Sequence, residues 1–424
     1  MAVTRIKHTN KHKKISSQLA IATSSLLAAD HTLSADDEDS QLYGNWNVDV
    51  GYLYYEEPEY IKVNTYTAKI NGSLSSKDTI NLGLVFDTLS GATPTGALPD
   101  SQFVSVSGVS GGGVSGAGGG AGKVAFDDTR LAFDATWGHE WERLVRSNVT
   151  TYVSVEGDYT AIGGSVGIEK DSKDRSNTYS AALGLSTDRI GRSDETTPAP
   201  LTEVSAATYY DTGSRSGTDI MIGMTTVLNR RTVGMLNLTY SHSLGYHTDP
   251  YKIISIADDN DVELTTVFEK RPDERERFIV YGKIKHELPS NGHHLGLSYR
   301  LHTDSWGVNS HTLETSYSIT LNNGHKLEPF TRLYRQQAAN FYSRTINYTG
   351  NGNFASLTLP NYASADVRLG EMFNSTLGLK YIHKTSAKGS IDSRIGYYHR
   401  NFSNASINDD GAFFVQVDFS KGFD

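Results

Sequence analysis

Apolar and polar residues alternate with a period of two along residues 293–334, and this pattern predicts three consecutive β-strands. In the first of them, Leu295, Leu297 and Tyr299 alternate with polar or small residues. Successive side chains of a strand point to opposite faces of a sheet, so each of these strands has one apolar and one polar face. The Asn-Asn-Gly sequence at 322–324 predicts a tight hairpin turn between the second and third strands, because Asn-Gly accommodates positive φ angles.

The same alternation recurs along nearly the whole chain and predicts about sixteen strands. When the strands are counted from the first, every long connection follows an odd-numbered strand, and the connections after even-numbered strands are short and polar. The long connections are predicted as external loops at residues 88–127, 188–217, 246–276, 340–365 and 401–410.

This sorting of loop lengths indicates a membrane barrel, since outer-membrane barrels have short periplasmic turns and longer external loops. A two-sheet sandwich has no reason to sort its loops in this way. Aromatic residues near strand ends, such as Trp137 and Phe423, suit the headgroup level of a bilayer. The sequence therefore predicts an all-β fold, a transmembrane antiparallel up-and-down β-barrel of about sixteen strands. Fourteen and eighteen strands are the alternatives.

The N-terminus has the pattern of a secretory signal. A basic region that ends at Lys14 is followed by a mildly apolar run and by small residues at Ala29 and Ala35, either of which suits cleavage. The run is too short and too polar to cross a bilayer as a helix. We therefore predict a cleaved signal peptide with a short acidic start in residues 1–35 and one barrel domain in residues 36–424. The alternative is a disordered basic tail.

Composition agrees with a barrel whose interior is wet. Hydrophobic residues make up 37% of the chain, below the roughly 45–50% of an average globular protein, although that average includes glycine. The chain has no cysteine, which excludes disulfides and thiolate metal sites. Residues 1–35 hold five Lys/Arg and one Asp, so their removal changes the formal charge from −9 to −13. This acidic balance argues against nucleic acid as a partner.

Four stretches resemble an uncharacterised bacterial outer-membrane family, known as domain of unknown function 3570. They are residues 86–99 (FDTLSGATPTGALP), 128–134 (DTRLAFD), 332–342 (RLYRQQAANFY) and 364–370 (SADVRLG). The resemblance covers about residues 43–423. It implies an outer-membrane β-barrel, and the family has no established activity that could be transferred.

The alternation also predicts which charged residues line the interior. The candidates are Asp49, Asp87, Asp134, Glu156, Asp158, Arg300, Glu314, Glu328, Arg332 and Arg394. Charges of both signs inside a barrel form a transverse field that selects polar solutes. Alternatively, the same charges pair with one another and fill the interior. The sequence does not give the radius of the lumen, so both interpretations stay open.

An acidic cluster in the predicted loop 246–276 is a candidate calcium site. It consists of Asp258, Asp259, Asp261 and Glu263. Calcium prefers such oxygen ligands, and external loops can also bridge lipopolysaccharide through divalent ions. The spacing of an EF-hand is absent, so a solvated acidic loop is the favoured alternative. No other cofactor is expected.

We therefore predict a porin-like channel for small polar solutes in the outer membrane of a Gram-negative bacterium, narrowed by loops such as 88–127. A second hypothesis is a non-conducting scaffold that presents its loops to a periplasmic or surface protein. Outer-membrane lipid, lipopolysaccharide and the barrel-assembly machinery are the expected partners.

A third hypothesis, an outer-membrane hydrolase, has little support in the sequence. No Gly-x-Ser-x-Gly motif is present. Ser241 and Ser243 adjoin His242, but adjacent residues of a strand face opposite sides and do not form a catalytic pair. We therefore expect no enzymatic activity.

Overall fold

The sixteen predicted strands are present as one closed sheet. The computed structural model describes residues 46–58, 60–91, 96–98, 103–105, 114–116, 126–289, 292–321, 325–348, 353–386, 388–405 and 409–423. The predicted signal peptide, the predicted turn at 322–324 and most of the predicted loop 88–127 lie outside these residues.

Within the described ranges, sixteen antiparallel strands form a closed barrel in which each strand pairs with its neighbours in sequence. The last strand pairs with the first, for example through Val50 and Phe419. The strands are β1 (Trp46–Glu56), β2 (Ile61–Ser73), β3 (Asp78–Gly91), β4 (Phe126–Glu142), β5 (Val145–Val155), β6 (Tyr159–Asp171), β7 (Asn177–Ile190), β8 (Gly213–Asn229), β9 (Thr232–Gly245), β10 (Glu274–Glu287), β11 (His294–Asp304), β12 (Asn309–Thr320), β13 (Lys326–Gln336), β14 (Glu371–Ser386), β15 (Gly389–Ser403) and β16 (Asp410–Phe423).

The outer face of the barrel is apolar and exposed, which is the arrangement expected of a surface in contact with lipid. Leu84 and Leu131 are 44% and 52% exposed, and Leu377 is 67% exposed. Two stacked sheets would bury these side chains between them. The prediction of an all-β, transmembrane, antiparallel barrel of about sixteen strands is confirmed.

The long connections all follow odd-numbered strands, but several strands are longer than the sequence indicated. The connections that the structure describes in full or in large part span 191–212, 246–273, 337–370 and 404–409. Three of the predicted loops were therefore too wide, whereas the predicted loop 340–365 was too narrow, since this connection spans 337–370. Where the strands extend beyond the lipid, their outward-facing residues are polar, as at Arg189 and Ser214. The alternation of apolar and polar residues therefore stops there, although the strands remain hydrogen-bonded to each other.

Residues 246–273 and 337–370 fold together into a small domain at the long-loop end of the barrel, which we call the cap. Its three-stranded sheet consists of Ile253–Ala257, Glu263–Phe268 and Thr345–Asn347. These segments had been predicted as loops without strands. Ile254, Ile256 and Val267 are completely buried in the core of the cap. The helical segments are single 3-10 turns, such as Val367–Leu369.

Among the described residues, no helix is long and apolar enough to cross a membrane.

Other long connections pack against the cap. The backbone N–H of Leu201 donates to the carbonyl of Phe268. Thr265 Oγ1 donates to Glu203 Oε1 at 3.0 Å. The backbone N–H of Leu98 donates to Ser255 Oγ at 3.0 Å. The cap therefore joins segments from four connections into one body over the mouth of the barrel.

Candidate functional site

Eight of the ten predicted interior charges lie at inward-facing positions of the strands. These are Asp49, Asp87, Asp134, Arg300, Glu314, Glu328, Arg332 and Arg394. Glu156 and Asp158 lie in the short turn between β5 and β6, and both are buried. Burial raises the pKa of Glu156 well above its usual value, and the neighbouring Asp158 carboxylate acts in the same direction.

Three inward arginines form one basic wall of the interior. Arg277, Arg300 and Arg332 lie on β10, β11 and β13. None of the three forms a side-chain hydrogen bond or an ion pair with another residue in the described part of the chain. Arg300 is exposed to solvent although it faces inward. The interior at this height is therefore open to water.

Aspartates lie on the opposite wall. Asp134 on β4 and Arg300 on β11 are separated by seven strands in the ring of sixteen, so they nearly face each other. Asp49 on β1 accepts hydrogen bonds from Asn47 and Asn71 at 3.0 and 3.1 Å. Asp219 on β8 lies instead near the basic wall, two strands from Arg277 on β10; it accepts a hydrogen bond from a serine of β9 and is exposed. Charges of both signs thus line the interior, with Asp49 and Asp134 across the ring from Arg300.

Other predicted interior charges are held by neighbours on the wall. Asp87 forms a buried ion pair with Arg130. The Arg394 guanidinium lies over the ring of Phe330, 4.3 Å from its centroid. That ring packs against Gly378, where a Cβ atom would lie only 2.3 Å from the ring. These charges contribute to the rigidity of the wall as well as to its field.

Burial of the inward side chains increases toward the cap. Near the long-loop end, Thr65 and Ala412 are completely buried and Asp87 is almost so. At mid-height or closer to the short turns, Asp49 and Asp134 are only partly buried. The inward side chains are therefore packed near the cap, while the space below is accessible to solvent.

A buried ion-pair network joins the two segments of the cap. Arg271 Nε lies 2.6 Å from Glu269 Oε1, and Arg271 Nη2 lies 2.8 Å from Asp366 Oδ2. Arg368 pairs with the same Asp366 and with Asp249, the latter at 3.1 Å. The Arg271–Asp366 and Arg368–Asp249 pairs connect the two segments, so the network holds them together in one cap.

The two most deeply buried carboxyl groups of the cap respond differently to their surroundings. Burial raises the pKa of Glu269 despite its contact with Arg271. Burial also acts to raise the pKa of Asp366, but the adjacent Arg368, Lys252 and Arg271 hold that pKa well below its usual value. Asp366 is therefore the stable anionic centre of the network.

A cavity of about 130 Å³ lies where the cap meets the barrel wall. The residues that line it are Arg215, His247, Arg271, Arg275, Trp306, Asp366, Arg368 and Leu369. Arg215 and Arg275 come from strands β8 and β10, and the other six come from the connections. Sequence reasoning did not identify this site, because its residues come from five separate segments.

His247 fixes the start of the cap to the wall. Its Nδ1 lies 2.8 Å from the carbonyl oxygen of Gly245 and its Nε2 lies 2.8 Å from Ser243 Oγ. Since Nδ1 must donate to the carbonyl, Nε2 accepts the serine hydroxyl. Burial lowers the pKa of His247 to about 4, and the positive charges of Arg215 and Arg275 act in the same direction. His247 is therefore neutral near pH 7.

The Ser243–His247 contact was not foreseen, since the sequence drew attention to His242. His242 instead faces outward, with its Nε2 2.8 Å from Glu274 Oε1. Ser243 is buried and does not line the cavity.

The acidic residues predicted as a calcium site do not converge. Asp258 Oδ1 accepts the backbone N–H groups of Asn260 and Val262, both at 2.9 Å. Asp261 pairs with Arg344, and Glu263 accepts the hydroxyl of Ser255. Among the described residues, no three His, Asp or Glu side chains are grouped closely enough to hold a metal ion.

Several solved structures are similar to this chain. A "Bacterial polysaccharide outer membrane secretin" has 8% identity and a TM-score of 0.48, with 91% of this chain and 100% of that chain covered. OccK3 (OpdO) of Pseudomonas aeruginosa has 8% identity and a TM-score of 0.41, with coverage of 89% and 94%. The "CymD monoaromatic hydrocarbon channel" has 7% identity and a TM-score of 0.40, with 90% of both chains covered.

No curated protein matches the chain. A family model described as "Protein of unknown function (DUF3570)" matches residues 16–414, which is nearly the entire sequence. This match agrees with the closed barrel and with the resemblance noted in the four sequence stretches. The chain belongs to the DUF3570 family of outer-membrane β-barrels.

Proposed function

We propose that the protein is a channel for small polar solutes in the outer membrane of a Gram-negative bacterium, and that the cap controls passage through it. The observation that carries this proposal is that Arg300 and Arg332 face inward without an ion pair or side-chain hydrogen bond among the described residues, and that Arg300 is exposed. An unpaired charge is costly to bury, so these side chains require water around them. Barrels of sixteen strands are wide enough to leave an aqueous channel.

The two charged walls suit the passage of polar molecules. Arg300 and Asp134 lie on nearly opposite sides of the ring, so a solute between them experiences a transverse field. Such a field orients dipolar molecules and disfavours apolar ones. The apolar outer face, with Leu84 and Leu377 exposed, supports placement in lipid. By the usual orientation of such barrels, the long loops and the cap face the exterior of the cell. Lipopolysaccharide is the neighbouring lipid on that side. The barrel-assembly machinery inserts the protein into the membrane.

Conductance in planar bilayers tests the proposal. The refolded protein is expected to give discrete current steps. Its anion-to-cation permeability ratio should decrease when Arg300 and Arg332 are both replaced by Gln, because two positive charges are removed from the interior. Arg335 lies on the same strand as Arg332 but faces outward, with 69% of its side chain exposed. Arg335→Gln is therefore the matched control and should leave the reversal potential unchanged. Absence of current steps at every voltage would refute the channel.

A non-conducting scaffold is the second candidate, and the folded cap is the observation that favours it. A cap with its own hydrophobic core and a buried ion-pair network can present a constant surface to a protein partner. Under this alternative, neither the intact protein nor a variant without the cap conducts. We propose no enzymatic activity, because His247 lines the cavity whereas Ser243, its hydrogen-bond partner, does not.

A further inference from the structure

We propose that the cavity between the cap and the barrel wall is a binding site for a small oxyanion, a carboxylate or a phosphate. Four of its eight lining residues are arginines, at positions 215, 271, 275 and 368, and one is an aspartate. Planar guanidinium groups recognise carboxylate and phosphate oxygens through paired N–H donors. The proposal concerns binding alone and does not depend on conduction through the barrel.

Carboxylates hold each of the four arginines in place. The pairs are Arg215 with Asp188, Arg271 with Glu269 and Asp366, Arg275 with Asp304, and Arg368 with Asp249 and Asp366. A guanidinium group has five N–H donors, and one carboxylate occupies only two of them in the best geometry. Donors therefore remain for a ligand, on groups whose orientation is already fixed.

The acidic partners are arranged mainly outside the cavity. Of the five carboxylates in these pairs, Asp366 is the one that also lines the cavity, whereas Asp188, Asp249, Glu269 and Asp304 do not. The positive ends of the ion pairs thus point to the enclosed space and most of the negative ends point away. The whole network carries little net charge, but the charged groups that line the cavity are mainly positive, so the cavity itself favours anions.

A further arginine lies directly below the cavity. Arg277 follows Arg275 by two residues on β10, so both side chains are on the inward face. Arg277 Nε is buried and forms no hydrogen bond in the described part of the chain. A bound anion close to this group would reduce the repulsion between Arg277 and the neighbouring Arg215.

Rigid neutral groups complete the lining. The Arg275 guanidinium lies 4.2 Å from the centroid of Trp306, and the His247 ring meets the same indole edge-on at 5.6 Å. Trp306 Nε1 donates to the carbonyl of Glu274 at 2.8 Å, which fixes the indole. A volume of about 130 Å³ accommodates a few water molecules or a small oxyanion. It excludes oligosaccharides and peptides.

Calorimetry on the intact, refolded protein tests the site at constant ionic strength. Inorganic phosphate and succinate are titrated separately, which distinguishes the two oxyanion classes, and succinamide serves as a neutral analogue of succinate. At least one of the two anions should bind saturably, at least tenfold more tightly than succinamide. If neither anion exceeds succinamide, the proposal is wrong, and this result requires no mutation.

A paired substitution locates the binding. Arg275→Gln combined with Asp304→Asn removes one ion pair without leaving an isolated buried charge, and it should weaken anion binding at least tenfold. The matched control is Arg130→Gln with Asp87→Asn, which removes a buried pair on another part of the wall. The control should bind as the unmodified protein does. Equal loss in both double variants would overturn the assignment to the cavity.

Discussion

At the residue scale, His247 combines a buried position with a contact that spans the cap and the wall. An unburied histidine binds a proton near pH 6.5, whereas the pKa of His247 in the folded protein is about 4. Between pH 6.5 and pH 4, His247 binds more protons when the cap segment that carries it is detached from the barrel wall than when it is attached. Attachment of the cap to the wall therefore weakens as the pH falls. The full loss of free energy of attachment is about 3 kcal/mol, and it is complete only below pH 4.

We therefore expect the backbone amides of residues 246–273 to exchange faster as the pH is lowered from 6.5 to 4, after correction for intrinsic exchange. His247→Gln keeps a polar group beside Ser243 and cannot titrate, so it should reduce this pH dependence. Glu156 and Glu269 have raised pKa values and act with the opposite sign, so the comparison between variant and unmodified protein isolates His247.

The outward-facing His242, five residues earlier in the chain, provides the control. His242→Gln should leave the pH dependence of the cap as it is, because this ring contacts Glu274 on the outer face. The explanation fails if His247→Gln and the unmodified protein lose protection in parallel over the same pH interval.

At the element scale, the two faces of a single strand should tolerate charge very differently. Leu84 on β3 is exposed on the lipid face, and Val85 beside it faces inward. We expect Leu84→Arg to cost about 2–4 kcal/mol, the usual penalty for arginine on the lipid face near the middle of a bilayer. Urea unfolding of the barrel in lipid vesicles measures this cost.

Val85→Arg is the comparison, since Val85 pairs with the small residues Thr67 and Ala132 on the flanking strands. The added guanidinium can extend into the wet interior, so its cost should be well below that of Leu84→Arg. Equal costs for the two variants would contradict the assignment of the faces.

The strands also explain which interior residues could be predicted. Alternation with period two identified inward positions such as Asp49 and Arg300 directly, because it requires only local sequence. It did not indicate that Asp87 is paired with Arg130 whereas Arg300 has no ion pair within the described ranges, since this depends on the register between strands. The strand ends were misplaced where the outer face leaves the lipid.

At the scale of the whole molecule, the barrel and the cap should be separable. The barrel closes through the pairing of β1 with β16, whereas the three strands of the cap pair with one another and with the connection that carries Glu203, and with no barrel strand in the described part of the chain. We expect a protein in which residues 250–268 and 344–364 are each replaced by a short Gly-Ser linker to keep the heat-dependent gel mobility of a folded barrel. Its single-channel conductance should be severalfold higher.

A control for these replacements is the same linker inserted into the connection 404–409, which contains no strand of the cap and should affect neither mobility nor conductance. Loss of the folded band after removal of the cap sheet would show that the cap is required for barrel assembly. An unchanged conductance would show that the cap does not restrict the path.

The sequence by itself determined the barrel, because lipid outside and water inside require each strand to alternate, and this requirement is visible within a few residues. It also determined the parity of the long loops. Only the tertiary structure decided the cap and its cavity. Strand Ile253–Ala257 is buried on both faces and therefore has no alternation to detect. The contact of Arg271 with Asp366 joins residues 95 positions apart, so no local pattern could indicate it.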